Sequence, residues 1–212
     1  MLINIHCHSL SHSGIELFNW NDEFPTTFYS YGYLPSHQTI TLNENFITHP
    51  NCLAIGEIGL DRLIQTPLIE QIELLKSQLL LAKKYNLPVL LHCVKTWNEL
   101  QQTIREMNLE IPLIFHGFRK TTIVENVLNK GLFLSIGTAV IHDKKLQDCI
   151  KEVPLEKIFL ETDNATNFTI QDVYEKIALL KNVSLQEVEH IIFKNFIKIF
   201  TKWDIGSNVQ NY

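Results

Sequence analysis

The chain lacks most of the marks of a specialised class. Its four cysteines, Cys7, Cys52, Cys93 and Cys149, form no Cys-x-x-Cys pair. That excludes a zinc ribbon and a dense disulfide framework, and leaves the thiols as small buried hydrophobes in a reduced, cytoplasmic setting. No apolar run approaches the ~18 residues of a membrane-spanning helix. The first run, five residues ended by a histidine, is too short for a signal core. Basic residues number 18 against 23 acidic ones, a net charge of −5, and no block of Lys or Arg stands out. An extended nucleic-acid surface is therefore excluded, because such binding rests on clustered phosphate neutralisation. A site for a strand end or a small phosphodiester is not. There is no P-loop and no GxGxxG. With no internal repeat, low-complexity stretch or boundary signal, residues 1–212 read as a single domain.

What is present is a series of short apolar runs: Leu2–His6, Ile15–Trp20, Thr27–Gly32, Cys52–Glu57, Pro88–His92, Pro112–His116, Leu132–Gly137 and Lys157–Glu161. Their unbroken Val/Ile/Leu character, without alternation, predicts parallel strands buried on both faces. Helical stripes fall between the later ones. Leu68, Ile72, Leu75, Leu79 and Ala82 share one face of a helix over Pro67–Tyr85, with Thr66 as N-cap and Pro67 at the first position. A second helix covers Thr121–Lys130 and stops at Gly131. Ser184 and Glu187 form a capping box, opening a helix with Val188, Ile191, Ile192, Phe196 and Ile199 inward. Strand–helix alternation with eight strands predicts a (β/α)8 barrel. Such barrels run to roughly 250 residues. Ser9–Gly14 and the stretch between Trp20 and Thr27 leave no room for helices, so this barrel is trimmed on its N-terminal side. A doubly wound open sheet is the runner-up. The tail from Asp204 reads as frayed.

The apolar runs end on a particular set of side chains. "LINIHCH" ends at His6 and His8, "CLAIGEIGLD" carries Glu57, "PVLLHC" ends at His92, "PLIFHG" at His116, and "KIFLETD" at Glu161 and Asp163. In a parallel barrel all strand C-termini face one mouth, so these residues converge. Imidazole and carboxylate together suit Zn, Mn, Fe or Ni rather than Ca. Four histidines and two or three carboxylates exceed the needs of one tetrahedral ion. Two ions sharing a bridging carboxylate would use them all, and such a pair clamps a displacement at phosphorus or a carbonyl. His12, His37, His49, His142 and His190 lack this context and read as surface or core residues. Gly56 and Gly59 serve tight backbone beside Glu57. Cys7 and Cys93 alternate with their histidine neighbours and should point the other way; thiolate ligation is the weaker reading. Core and rim packing is the first reading of Trp20, Phe24, Tyr31 and Trp97, with base stacking as the alternative.

"IHCH", "AIGEIGLD", "VLLHC", "IFHGF" and "FLETD", in this order, resemble the TatD family of metal-dependent hydrolases, amidohydrolase-like TIM barrels often described as deoxyribonucleases. The resemblance spans nearly the whole chain. It implies two divalent ions, drawn from Zn, Mn, Mg or Ni. His6, His8 and Asp163 would hold the first, His92 and His116 the second, and Glu57 would bridge them. Glu161 matches the motif acid that orients ligands or substrate. The implied activity is phosphodiester hydrolysis; on our reading a metal-activated water attacks, Asp163 accepts its proton, and Lys95 and Arg119 are the candidate phosphate contacts, Lys95 standing in for the missing arginine. The substrate would be a small phosphodiester or a DNA end, and the protein a monomer or small homo-oligomer. The alternatives are the same site acting on a non-nucleic-acid ester or amide, or a metal-binding protein without catalysis. Three departures bear on substrate rather than on ligands. Asn4 stands where the family has an acid, Leu34 precedes Pro35 where it often has histidine, and no arginine follows His92 by two positions.

Overall fold

The computed structural model describes residues 1–20, 26–36 and 41–203; Phe24, His37 and the tail from Asp204 lie outside them. Its elements in chain order are β1 (Leu2–Cys7), β2 (Gly14–Trp20), β3 (Tyr29–Tyr31), α1 (Glu44–Thr48), β4 (Cys52–Asp61), α2 (Leu68–Tyr85), β5 (Val89–Val94), α3 (Trp97–Met107), β6 (Leu113–Phe115), α4 (Val124–Asn129), β7 (Phe133–Ile136), α5 (Lys144–Glu152), β8 (Ile158–Leu160), α6 (Ile170–Lys181) and α7 (Leu185–Ile199). The eight strands follow chain order across the sheet. Among the described residues no helix lies between β1 and β2 or between β2 and β3. This is the (β/α)8 class read from the sequence, shortened early in the chain. No described helix is long and apolar enough to cross a membrane.

The chain divides into two compact units, Met1–Phe18 with Leu113–Lys198, and Asn19–Pro112 with the chain from Ile199. In the first, β1 pairs with the start of β2, and β6, β7 and β8 pair in parallel. Every residue of β1 is buried, which is why its run is apolar without alternation. The segment after β8 is stitched to β1: the His8 N–H donates to the Asp163 carbonyl at 3.0 Å, and the Asp163 N–H to the His6 carbonyl at 2.9 Å. Tyr174 fixes α6 on β1, since its buried hydroxyl donates to Ile3 O at 3.1 Å and accepts from Ile3 N at 2.9 Å. The start of α6 is set by a capping box of Thr169 and Asp172.

In the second unit, β3, β4 and β5 are parallel neighbours. Two buried glutamines of α2 replace missing backbone partners. Gln71 accepts from the Asp61 N–H and donates to the Asp61 carbonyl, both at 2.9 Å, while Gln78 treats Tyr33 likewise at 2.7 and 3.0 Å. The rings of Trp20, Tyr31 and Phe46 pack together with centroids 4.4–5.5 Å apart. Trp20, Tyr31 and Trp97 are all buried, so they serve packing and offer no face to a base.

Local boundaries shift from the sequence reading for identifiable reasons. Pro67 has ψ 138°, an extended backbone, so α2 begins at Leu68 and Thr66 caps nothing. The stretch Thr121–Lys130 opens as a 3-10 turn over Thr121–Ile123 before α4. Gly131 stops it with φ +82°, a conformation that only glycine adopts freely. Ser184 accepts from the Glu187 N–H at 3.1 Å, giving half of the expected box. Strand β4 runs past Glu57 to Asp61.

Candidate metal centre

In the first unit the site grows from three strand ends. His6 is the penultimate residue of β1 and fully buried; His8 lies just beyond it, exposed. Their Nε2 atoms each stand 3.4 Å from one oxygen of Asp163, Oδ1. The rings of His6 and His116 lie 4.5 Å apart between centroids. Asp163 adopts φ +54°, a left-handed turn that its two backbone bonds to β1 hold in place. Burial works to raise its carboxyl pKa, but the facing imidazoles of His6 and His8 outweigh that and hold it well below the carboxylate range. Asp163 is therefore ionised at neutral pH.

Glu161 follows β8 and is completely buried. Its Oε1 accepts from the Gly117 N–H at 2.7 Å and lies 3.3 Å from His116 Nδ1. Its Oε2 is buried with no hydrogen-bond partner among the described residues. A buried carboxylate oxygen left so is costly unless a cation or donor meets it. Asn4, one pair of positions before His6, holds this segment from the other side. Its amide donates to Thr162 Oγ1 at 2.9 Å and accepts from the Thr162 N–H at 3.1 Å. Asn4 thus ties β1 to Glu161–Asp163 through both the hydroxyl and the N–H of Thr162. Glu16 does similar work beyond His8, accepting from the Ser11 and His12 N–H groups at 2.9 and 2.8 Å.

In the second unit His92, on β5, is held between two acids of β4. Its Nδ1 is 2.6 Å from Glu57 Oε1 and its Nε2 3.2 Å from Asp61 Oδ2. Glu57 is buried, and its N–H donates to Asn19 Oδ1 at 3.1 Å. The sequence reading missed Asp61, although it closes the quoted motif "GEIGLD". The signal was there: residues 57, 59 and 61 share one face of a strand, and Gly59 between the acids allows His92 to come close. A Cβ on Gly59 would fall 1.9 Å from the His92 carbonyl oxygen.

The remaining nominations divide. Arg119 is exposed and lines a cavity of about 200 Å3 together with Glu161 and Asp163. Lys95 is exposed just after β5 with φ +56°, and its carbonyl accepts from Arg62 Nε at 3.2 Å. Cys7 is turned away from the histidines, donating to the Leu17 carbonyl; burial pushes its thiol up to about 12. The sets His6–His8–Asp163, His116–Glu161 and Glu57–His92–Asp61 each pair imidazole with carboxylate. That donor chemistry fits Zn, Mn or Ni, and the unmet Glu161 oxygen fits a cation nearby.

The family model described as TatD related DNase matches residues 3–201. The chain is 33% identical over 169 residues to the human "Deoxyribonuclease TATDN3", covering 71% of this chain and 60% of that protein. It is 35% identical over 115 residues to the Escherichia coli "Uncharacterized metal-dependent hydrolase YjjV", covering 52% of this chain and 44% of that one. Two solved structures share the fold. They are a TatD homologue from Escherichia coli (TM-score 0.67, 24% identity, 82% of this chain and 77% of that) and a TatD family hydrolase from Entamoeba histolytica (TM-score 0.70, 18% identity, 84% and 75%). The chain thus matches 60% and 44% of the length of these two curated relatives.

Proposed function

The chain belongs to the TatD related DNase family, and from that membership we propose that it hydrolyses phosphodiesters with divalent metal ions held by the imidazole–carboxylate sets at its strand ends. The observation that carries this reading is the sharing of one Asp163 oxygen by His6 and His8 at 3.4 Å each. Two imidazole nitrogens and a carboxylate oxygen this close together offer three ligand atoms of the kind a divalent ion takes.

His6, His8 and Asp163 would hold one ion, His92 and His116 a second, and Glu57 would serve both. Bound divalent ions supply a water whose pKa falls to about 7 and offset charge gathered at phosphorus. The rest falls to the chain. Asp163, ionised, accepts the proton of the attacking water at its carboxylate. Glu161 positions the His116 ring and, through Gly117, the turn that follows it. Asn4 keeps Asp163 in register with β1 by holding Thr162. Arg119 binds a phosphate oxygen from the cavity it lines with Glu161 and Asp163, and Lys95 adds positive charge beyond β5. The buried first unit walls exclude bulk water from His6 and Glu161.

Elemental analysis of the purified protein, followed by hydrolysis of bis-p-nitrophenyl phosphate with Mn, Mg or Zn, tests the reading. About two ions per chain with turnover are expected, and Glu57→Ala should lose both retained metal and turnover. A Glu57→Ala protein that stays metal-replete and active would remove the bridging role. A wild-type chain that takes up no metal would overturn the proposal.

A further inference from the structure

Between β1 and β2 the chain has far to travel and few residues to do it. The two strands are parallel, with Leu2 beside Gly14 and Cys7 beside Phe18. Leaving Cys7, the chain must return the length of β1, about 16 Å, before β2 begins. Fully extended, residues 7–14 reach at most about 24 Å. As a helix they would cover about 10 Å and fall short. Residues 8–13 are accordingly a drawn-out strap in neither helix nor strand. The strap starts at His8, the exposed member of the first metal set.

This strap has little packing of its own. Ser9, Ser11, His12 and Ser13 are exposed, and Leu10 is half-buried. At its start the His8 N–H donates to the Asp163 carbonyl at 3.0 Å. At its end Gly14 lies so close to β1 that a Cβ would fall 2.2 Å from the Leu2 carbonyl oxygen. Between these points it is gripped by Glu16, a buried residue of β2 that belongs to none of the metal sets. Glu16 Oε1 accepts from the Ser11 hydroxyl at 2.6 Å, and Oε2 from the Ser11 and His12 N–H groups at 2.9 and 2.8 Å. Ser11 Oγ in turn lies 2.6 Å from Ser13 Oγ. The bond to His12 holds a residue with φ +56°, a left-handed backbone uncommon outside glycine.

We propose that Glu16 is a positioning residue for the ion of His6, His8 and Asp163. By clamping the strap at Ser11 and His12 it fixes how the chain leaves His8, and so keeps that imidazole on Asp163. The inference rests on the metal reading above. The clamp works through hydrogen bonds and needs no charge. A glutamine carbonyl can take both N–H groups while its amide donates to Ser11 Oγ. Glu16→Gln is therefore the conservative variant and Glu16→Ala the disruptive one.

Stepwise Mn2+ titration of the metal-stripped full chain, read by competition with a chelating dye, tests the clamp. Glu16→Ala should weaken one ion about tenfold and leave the other as in the wild type. Glu16→Gln should restore most of the loss. In a His8→Ala background, Glu16→Ala should change nothing further. Hydrogen exchange of the metal-free proteins should show the Ser11 and His12 N–H groups losing protection in Glu16→Ala and keeping it in Glu16→Gln. If Glu16→Ala does not fold, Ser11→Ala, which removes only an exposed hydroxyl, should show the same selective loss at about threefold. Wild-type affinities in Glu16→Ala, equal weakening of both ions, or a further loss in the His8→Ala background would overturn the proposal. So would a glutamine variant as weak as the alanine one, since the carboxylate would then act by its charge. A wild type that binds no Mn2+ would overturn the metal reading and this inference together. Two ions bound without phosphodiester turnover, with the selective loss in Glu16→Ala, would keep this inference and refute the hydrolysis.

Discussion

His92 shows how one ring is aimed by its neighbours. An imidazole that gives its Nε2–H to Asp61 keeps the Nδ1 lone pair on the side of Glu57, where the proposed ion would be met. Were an ion held at Nδ1, Asp61 would be a positioning residue, setting the tautomer from Nε2 and raising the basicity of Nδ1. Its other oxygen accepts from the Leu63 N–H at 2.7 Å, which holds the carboxylate still. Asp61→Asn should lower metal affinity about 10–100-fold, read by competition with a chelating dye, while circular dichroism stays native. Unchanged affinity would reduce Asp61 to a turn acceptor for Leu63. Asn4 carries a lesson at the same scale. From the sequence it is an acid lost from a family motif; in the structure its amide bonds both the hydroxyl and the N–H of Thr162 and ties β1 to the segment after β8.

At the scale of elements, the strand ends were legible and the outer helices less so. The runs ending in His6, Glu57, His92, His116 and Glu161 stand out because parallel strands buried on both faces are written as unbroken apolar runs. Helices α3 and α5 were not, because "WNELQQTIREM" and "KKLQDCIKE" place only Trp97, Leu100, Thr103, Leu146, Gln147 and Ile150 inward among polar residues. Helix α6 has a capping box, but Thr169 and Asp172 lack the Glu or Gln that marks the usual pattern. The contact between β4 and β5 depends on Gly59. Gly59→Ala would drive a Cβ into the His92 carbonyl, and separating the strands should cost about 3 kcal/mol. Urea unfolding reads that loss, and weakened metal retention should accompany it as His92 moves. A variant of wild-type stability would show that β5 yields without cost.

At the scale of the molecule, each unit holds a fully buried thiol, Cys7 in the first and Cys52 in the second. Burial pushes both Cys7 and Cys52 up to about 12 from 9.0, with Glu16 adding to the rise at Cys7. Burial likewise raises the Tyr29 and Tyr31 hydroxyls. The folded state therefore holds these protons more tightly than the unfolded chain. Their contribution to stability is full below pH 9.0 and is lost as the pH climbs toward 12. Unfolding free energies measured from pH 7 upward should stay level with respect to these groups and turn down above about 9. A decline complete before the thiols begin to ionise would show that they do not govern the alkaline limb.

The sequence by itself determined the order of eight strands, the imidazoles and carboxylates at or near their C-terminal ends, and the membership of the chain in its family. Those features are local: an apolar run is buried wherever it goes, and a histidine at its end is carried with it. Tertiary structure alone decided which acid meets which imidazole. Asp163 turns back on His6 and His8 because backbone bonds join residues more than 150 positions apart in sequence. Asp61 faces His92 because Gly59 lets two backbones approach. Long-range pairing and close approach leave no periodic mark in a chain, so neither could be read before the strands were in place.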